Sequence, residues 1–220
     1  MKYIDLTHTV VSGMPVYPGD TAPEIVKIAD IGTEGHTNYQ MNTGMHAGTH
    51  IDGPLHMLEN GKRLSQIAVE SFFGRGRLID ARGMSVIDTD LLSSAGIKKG
   101  DIVLVLTGFS KGFWQADYFE TYPEVSEGFA KKLVELGVKI VGIDSPSPDR
   151  SPFLVHKILL SKEILIIENL TNLEALLGVP HFEIIALPPK FDTEAAPTRV
   201  IARIDSKTVS YAKESSVQKT

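Results

Sequence analysis

The stretch "HAGTHIDGPLH", residues 46–56, holds three of the seven histidines of the chain together with one aspartate. His46, His50, Asp52 and His56 are separated by even numbers of residues. In a β-strand alternate side chains point to the same face, so an extended backbone would place all four side chains together. Imidazole and carboxylate groups are common ligands of divalent metal ions. The pattern therefore indicates a metal site.

The backbone of this stretch is predicted to be extended and bent. A helix is disfavoured because Pro54 would break it. A straight strand would hold the Cα atoms of His46 and His50 about 13 Å apart, so that two imidazoles could reach one ion only when almost fully stretched. A bulge or bend at Gly48 shortens this span at little steric cost. We therefore expect the strand to bend there and to bring both histidines close to Asp52.

Length and composition favour one domain over residues 1–220, with a polar tail from about residue 206. The net charge of −5, without a basic block, argues against nucleic acid as a partner. No run reaches the roughly 18 apolar residues of a membrane helix, and the start lacks the apolar core of a secretory signal, so we expect a cytoplasmic protein without a membrane partner. Because the chain has no cysteine, its metal ligands must be His, Asp, Glu or water.

Short apolar runs between turn signals predict a core dominated by β-sheet. Helical spacing occurs in four further segments, and Gly137 and Gly178 stand where helices commonly end. The fold class is therefore α/β, with a mixed sheet of the α+β kind. The nine predicted strands lie at 2–8, 23–29, 38–45, 74–81, 101–108, 138–144, 163–170, 182–188 and 198–205, and the helices at 86–97, 125–137, 152–161 and 172–178.

The histidine stretch resembles the H-x-G-T-H-x-D-x-P-x-H signature of the cyclase family of metal-dependent hydrolases, which includes the bacterial kynurenine formamidases (arylformamidases) and the isatin hydrolases. The resemblance extends over nearly the whole chain. It includes "YIDLTHTV" (3–10), "MPVYPGDTAP" (14–23), "VGIDSPSPDR" (141–150), "VHKILLSKEILIIENLTNL" (155–173) and "PTRVIARI" (197–204). It implies a swivelling β/β/α-type core within a single domain.

The resemblance also implies roles for particular residues. It matches His46, His50 and Asp52 to the ligands of a first metal ion, and Asp52 could bridge to a second ion. The remaining ligands would be His156 and Glu168. Taken alone, His156 is better explained as a partly buried helix histidine, and Glu168 could simply cap the next helix. The resemblance makes His56 the proton donor and acceptor. Asp5 and Asp144, which end or follow predicted strands, are weaker candidates either for capping the chain or for orienting ligands. One or two ions are expected, with zinc favoured and manganese as the alternative.

Substrate contact is predicted at Tyr17, because the resemblance matches it to a tryptophan that stacks on the aryl ring of the substrate in the formamidases. This chain departs from that pattern by having a tyrosine, whose smaller ring can still stack. Without the resemblance, Tyr17 is as well explained by packing in the turn beside Pro18 and Gly19. A second aromatic group lies in "SKGFWQADYFETYPEV" (110–125). We interpret this group as a small core cluster, with a contact to substrate or to another subunit as the alternative.

The expected activity is hydrolysis of an aryl formamide, such as N-formylkynurenine to kynurenine and formate, by metal-activated water. Two alternatives stay open: ring opening of a cyclic amide, as in isatin hydrolases, and a non-catalytic metal-binding homologue. The presence of His56 beside the predicted ligands speaks against the last. Because members of the family commonly form dimers or larger assemblies, we expect a homo-oligomer, a dimer or tetramer, in which a neighbouring chain sometimes lines the site.

Overall fold

Most strands of the protein belong to one mixed sheet. The structure is a computed structural model that describes residues 1–204, so the predicted polar tail lies outside the described residues. The strands are β1 (Lys2–Asp5), β2 (Glu24–Ala29), β3 (Asn38–Asn42), β4 (His50–Asp52), β5 (Phe73–Asp80), β6 (Val86–Ile87), β7 (Ile102–Leu106), β8 (Glu124–Val125), β9 (Ile140–Ile143), β10 (Leu165–Glu168), β11 (Glu183–Leu187), β12 (Ala195–Pro197) and β13 (Arg199–Ile204).

Helices are few and short in this part of the chain. The α-helices are α1 (Ile31–Glu34), α2 (Glu127–Leu136) and α3 (Leu154–Leu160). Single turns of 3-10 helix occur at Pro54–His56, Leu64–Gln66, Val69–Phe72, Thr89–Leu92, Phe109–Gly112 and Leu173–Leu176. None of the helices among the described residues is long and apolar enough to cross a bilayer.

The large sheet has nine strands in the order β1-β13-β11-β5-β7-β9-β10-β4-β12 within the described residues. Strands β5, β7, β9 and β10 run parallel to one another, and the strands on both sides of this group pair in antiparallel fashion. Strands β2 and β3 form a separate hairpin, and β6 pairs with β8. A strand occurs within each of the nine predicted segments, which confirms the mixed α/β class.

Apolar side chains cover both faces of this sheet. Strand β7, "IVLVL", is buried throughout, as a central parallel strand requires. Leu104 and Leu106 belong to the core cluster on one face, and Val103 and Val105 to the cluster on the other. Helices α2 and α3 supply the second cluster, to which Phe129 contributes a fully buried ring.

Helix α2 follows the prediction closely. The Ser126 side chain caps its start by accepting a hydrogen bond from the Phe129 N–H, and Gly137 ends it with φ +66°. The Gly137 N–H donates to the Leu133 carbonyl, as is typical of a left-handed helix end. The helical spacing of the sequence places Phe129, Leu133 and Leu136 on one face. Phe129 and Leu133 are completely buried and Leu136 is half-buried, which confirms this apolar face.

Of the four predicted helices, the one at 86–97 is wrong and the one at 172–178 is shorter than predicted. Segment 86–97 begins as strand β6, because Ile87 pairs with Val125, and continues as one 3-10 turn after Asp88 caps the Thr89 N–H. Gly96 then adopts φ +58° and prevents continuation. Segment 172–178 forms a single 3-10 turn, whereas the predicted helix at 152–161 is present as α3.

Candidate metal centre

Strands β4 and β10 bring three predicted ligands together. The antiparallel register sets Glu168 opposite His50 and Ile166 opposite Asp52, so that Glu168, His50 and Asp52 share one face of the sheet. All three side chains are buried. His50 Nε2 lies 3.3 Å from Glu168 Oε2 and 3.5 Å from Asp52 Oδ1. Residues more than a hundred positions apart thus meet because their strands are neighbours.

His46 reaches this group through the predicted bend. Gly48 adopts φ +62°, and the chain before His50 forms a turn. His46 Nδ1 lies 3.0 Å from Asp52 Oδ1, and the His46 and His50 rings meet edge to face at 4.9 Å. The bend at Gly48 is confirmed, but the strand itself covers only His50–Asp52, which is shorter than predicted.

His156 enters from helix α3, which packs against the same face of the sheet. Its Nε2 atom lies 3.2 Å from Glu168 Oε1 and 3.9 Å from Asp52 Oδ2. His156 is 2% exposed, so this is not a half-buried helix histidine turned toward solvent. Strand β10 and helix α3 therefore place both residues of the later segment beside Asp52.

The backbone conformation that places His56 at the centre is not the one that the strand pattern predicts. Pro54 begins a 3-10 turn that ends at His56, so the alternation of faces stops at Gly53. The His56 ring lies 4.4 Å from the His46 ring and 5.7 Å from the His156 ring. Side-chain atoms of His46, Asp52 and His56 lie within 4.8 Å of one another, so this trio could hold a metal ion, as could His50, Asp52 and Glu168.

The centre contains buried polar atoms whose close neighbours are the other candidate ligands. Asp52 is 0% exposed, yet within residues 1–204 neither of its carboxylate oxygens accepts a hydrogen bond of good geometry, and His50 Nε2 makes none either. A buried carboxylate without a partner is costly, whereas a bound cation offsets that cost. The donor set, imidazole nitrogens and carboxylate oxygens, fits a divalent ion such as zinc or manganese.

The histidines and carboxylates of the centre shift one another's pKa values. Burial alone would lower the pKa of His50, but the Asp52 and Glu168 carboxylates raise it to about 9. Burial would likewise lower the pKa of His156, whereas hydrogen bonds to Asp149 and Glu168 raise it to about 10. Burial would raise the pKa of Asp52 and of Glu168, and the neighbouring histidines bring both below their usual values. The carboxylates are therefore ionised at neutral pH.

His56 and His46 differ from His50 and His156, whose pKa values are raised to about 9 and about 10. Burial is the main reason why the pKa of His56 falls below its usual value. No described residue hydrogen-bonds to the His56 ring, so its two nitrogens stay available near the cavity. Burial also disfavours the charged form of His46, but the Asp52 carboxylate beside it raises its pKa overall.

Two carboxylates near the histidines were not predicted from the sequence. Asp149 Oδ1 lies 2.5 Å from His156 Nδ1, and Glu194 Oε1 lies 3.5 Å from His46 Nε2. The available signal for Asp149 is its place seven residues before His156, but spacing alone does not distinguish it from other acidic residues of the loops. Glu194 comes from the segment before β12 and carries no such signal.

Asp5 and Asp144 accept hydrogen bonds from backbone N–H groups and do not contact the predicted ligands, so of the two predicted alternatives the structure shows capping. Asp5 pairs with Arg199 near the surface. The Asp144 carboxylate accepts hydrogen bonds from the Thr107 and Gly108 N–H groups and contacts none of the predicted ligands. It organises the loop after β7 instead.

A cavity of about 290 Å³ opens beside the centre. Tyr17, Phe119 and Phe153 form aromatic parts of its wall, and Tyr17 meets the Phe119 ring edge to face at 5.9 Å. Tyr17 therefore lines the cavity in addition to forming part of a turn. Within the aromatic segment 110–125, Phe113 and Tyr118 are buried with Met14 in a small core cluster, as predicted.

The Cyclase family model, described as "Putative cyclase", matches residues 4–150, more than half of the chain. The chain belongs to the cyclase family. An uncharacterised protein of Methanocaldococcus jannaschii is 37% identical over 205 residues, covering 92% of this chain and 99% of that protein. The kynurenine formamidase of Delftia acidovorans is 32% identical over 206 residues, covering 90% of this chain and 96% of that enzyme.

Solved structures of the family share the fold. A protein described as a predicted metal-dependent hydrolase from Bacillus stearothermophilus gives a TM-score of 0.75 at 31% identity, over 91% of this chain and 97% of its own. Isatin hydrolase A from Labrenzia aggregata gives 0.83 over 92% of this chain and 93% of its own. Its identity to this chain is 22%, so this likeness shows the fold alone.

Proposed function

We propose that this cyclase-family amide hydrolase cleaves an aryl formamide, such as N-formylkynurenine, to the arylamine and formate. The observation that carries the proposal is the buried Asp52 carboxylate, which lacks a well-formed hydrogen bond and is surrounded by histidines at the end of a cavity with an aromatic wall. The similarity to kynurenine formamidases, at 31% and 32% identity over most of the chain, supports this substrate class.

Five residues would hold the metal in this proposal. His46, His50 and Asp52 would hold a first ion, and His156 and Glu168 would complete the set. Zinc suits these imidazole and carboxylate ligands, and manganese is the alternative. The bound metal supplies a Lewis acid that polarises the carbonyl group and makes a water molecule acidic near neutral pH.

The remaining groups handle the substrate and its proton. His56 accepts the proton of the attacking water and returns it to the nitrogen as the bond between carbon and nitrogen breaks. An imidazole with a lowered pKa is neutral at pH 7 and ready to accept a proton. Tyr17 and Phe119 lie where they can pack against an aryl ring and direct the formyl group inward.

Product analysis of the zinc-loaded protein tests the substrate. Release of formate and kynurenine from N-formylkynurenine is the expected outcome. Opening of the isatin ring without turnover of formamides would replace the proposal with cyclic amide hydrolysis. Failure with both substrates while zinc is bound would favour the non-catalytic alternative and overturn the proposed function.

Replacement of His56 tests its role as proton carrier. We expect His56→Ala to lower kcat about 10²- to 10⁴-fold, the usual contribution of general acid and base catalysis, while metal content stays unchanged. His46→Ala, in contrast, should lower metal content as well, and His36→Ala, at an exposed position, should change neither. Loss of metal from His56→Ala would make His56 a ligand and refute the assignment.

The assembly proposed is a homo-oligomer, a dimer or tetramer. The β2–β3 hairpin exposes the large apolar side chains Val26, Ile28, Tyr39 and Met41. An isolated two-stranded hairpin is marginally stable in water, so contact with a second copy of the chain would suit this surface. Light scattering of the purified protein measures the state. A cytoplasmic location stays a prediction from the sequence.

A further inference from the structure

The loop between β9 and α3 places a buried carboxylate behind the metal centre. Asp149 is 5% exposed, and its two oxygens have different partners. Oδ1 lies 2.5 Å from His156 Nδ1, while Oδ2 accepts a 2.7 Å hydrogen bond from the Val155 N–H in the first turn of α3. One carboxylate therefore holds both the imidazole and the start of the helix that carries it.

This contact determines how the imidazole faces the centre. With a carboxylate on its outer side, His156 Nδ1 acts as the donor, so in the neutral ring the lone pair is on Nε2. Nε2 is the atom that points toward Glu168 Oε1, at 3.2 Å, and Asp52 Oδ2, at 3.9 Å. The tautomer that can bind a metal ion at the centre is therefore the one that Asp149 selects.

Asp149 is itself held in place through its backbone. Its carbonyl oxygen accepts hydrogen bonds from Ser147 Oγ at 2.9 Å and from the Tyr122 hydroxyl at 3.2 Å. The next residue, Arg150, stacks its guanidinium on the Tyr122 ring at 3.9 Å. The loop thus holds the Asp149 backbone, while the Val155 N–H and His156 Nδ1 each hold one carboxylate oxygen, so the His156 ring is held in place without an ion.

The other two histidines among the proposed ligands have weaker partners. His50 Nδ1 donates to the neutral Gly48 carbonyl at 2.8 Å. His46 Nε2 lies 3.5 Å from Glu194, whose side chain is about one third exposed. Among the described residues, only His156 thus has a buried carboxylate at hydrogen-bond distance from its outer nitrogen.

We propose that Asp149 is a positioning residue, which sets the metal affinity of the centre by fixing the His156 imidazole in the Nδ1-protonated tautomer. The inference rests on the proposed metal site. It predicts that a change at Asp149 alters metal binding even though Asp149 does not itself touch the ion. Carboxylates that support ligand histidines are typically worth about 10- to 100-fold in metal affinity.

Zinc binding by Asp149→Asn tests the proposal. The amide keeps the size of the side chain but loses the charge, so zinc affinity, measured by competition with a chromophoric chelator, should fall about 10- to 100-fold. Asp149→Glu, which keeps the charge, should retain more affinity than Asp149→Asn. The control is Asp144→Asn in the same loop, which removes a buried carboxylate without contact to any proposed ligand and should leave zinc affinity unchanged.

A measurement on the unaltered protein covers the case in which these variants do not fold. Long-range ¹H–¹⁵N spectra of the zinc-loaded protein should show His156 with a protonated Nδ1, the signal being assigned by its loss in His156→Gln. Unchanged affinity in Asp149→Asn, an equal loss in Asp144→Asn, or a protonated Nε2 on His156 would each overturn the inference. Absence of zinc binding by the unaltered protein would instead refute the proposed function.

Discussion

Zinc binding should displace about two protons from the metal-free centre near neutral pH. The pKa of His50 is about 9 and that of His156 about 10, so both imidazoles carry a proton when no metal is bound. At pH 7.5 these values correspond to ~0.97 and ~1.0 bound protons, whereas two histidines with the ordinary pKa of ~6.5 would hold only ~0.2 together. Because a metal ion binds the neutral ring, each of these protons must leave when zinc enters.

The sign of the pH dependence follows from this release. Protons compete with zinc below the two pKa values, so the apparent affinity should rise with pH. With two protons displaced, the affinity should increase about 100-fold from pH 7 to pH 8 and level off as the pH passes the pKa values of the two histidines. Titration calorimetry in buffers of different ionisation enthalpy counts the released protons directly.

Variants separate these histidines from other sources of protons. His156→Gln should reduce the release at pH 7.5 by about one proton, whereas an unperturbed histidine would account for only ~0.1. His36→Gln, which alters an exposed histidine outside the centre, should not change it. The reasoning is refuted if the unaltered protein releases less than one proton at pH 7.5, or if NMR titration of the metal-free protein finds His50 and His156 with ordinary pKa values.

Two further substitutions test the bend and the cavity. Gly48→Ala forces φ +62° on a residue with a Cβ, at a cost of about 1–2 kcal/mol, and brings that Cβ within 2.8 Å of the Met14 methyl group. Both the stability and the zinc affinity of this variant should therefore fall. The control Gly83→Ala has a similar φ but open space around it, and it should reduce only the stability measured in a denaturant titration. Tyr17→Ala should raise KM for an aryl formamide about 2- to 10-fold, as expected for the loss of one aromatic contact, whereas Tyr17→Phe should change KM little. Equal KM values for Tyr17→Ala and the unaltered protein would show that Tyr17 does not contact the substrate.

The sequence predicts those parts of the structure that depend on local pattern. The apolar runs identify strands such as β7, and the spacing of Phe129, Leu133 and Leu136 before Gly137 identifies α2. The bend at Gly48 is also predictable, because two histidines four residues apart need a short path to meet. In each case the cause lies within a few residues of its effect.

Other features depend on contacts between distant segments. The alternating pattern predicts that His56 belongs to the strand face, but Pro54 starts a 3-10 turn, since its fixed φ suits the first position of a helix. Asp149 contacts His156 only because the loop after β9 folds back over α3, and Glu194 reaches His46 because its segment runs beside β4. Spacing along the chain carries none of this information.

The candidate metal centre lies where the pairing of strands in the sheet changes from parallel to antiparallel. Strand β10 is the last of the parallel strands, and β4 pairs with it in antiparallel orientation, so the end of β10 carries Glu168 to the start of β4 at His50. Because side chains alternate along a strand, a slip of one residue in β4 would turn His50 and Asp52 into the opposite core. The register is fixed on both sides, by the bend at Gly48 and by the 2.7 Å hydrogen bond from the Gly53 N–H to the Glu194 carbonyl. A strand of three residues can therefore hold two charged ligands in place, because its neighbours on each side determine its position.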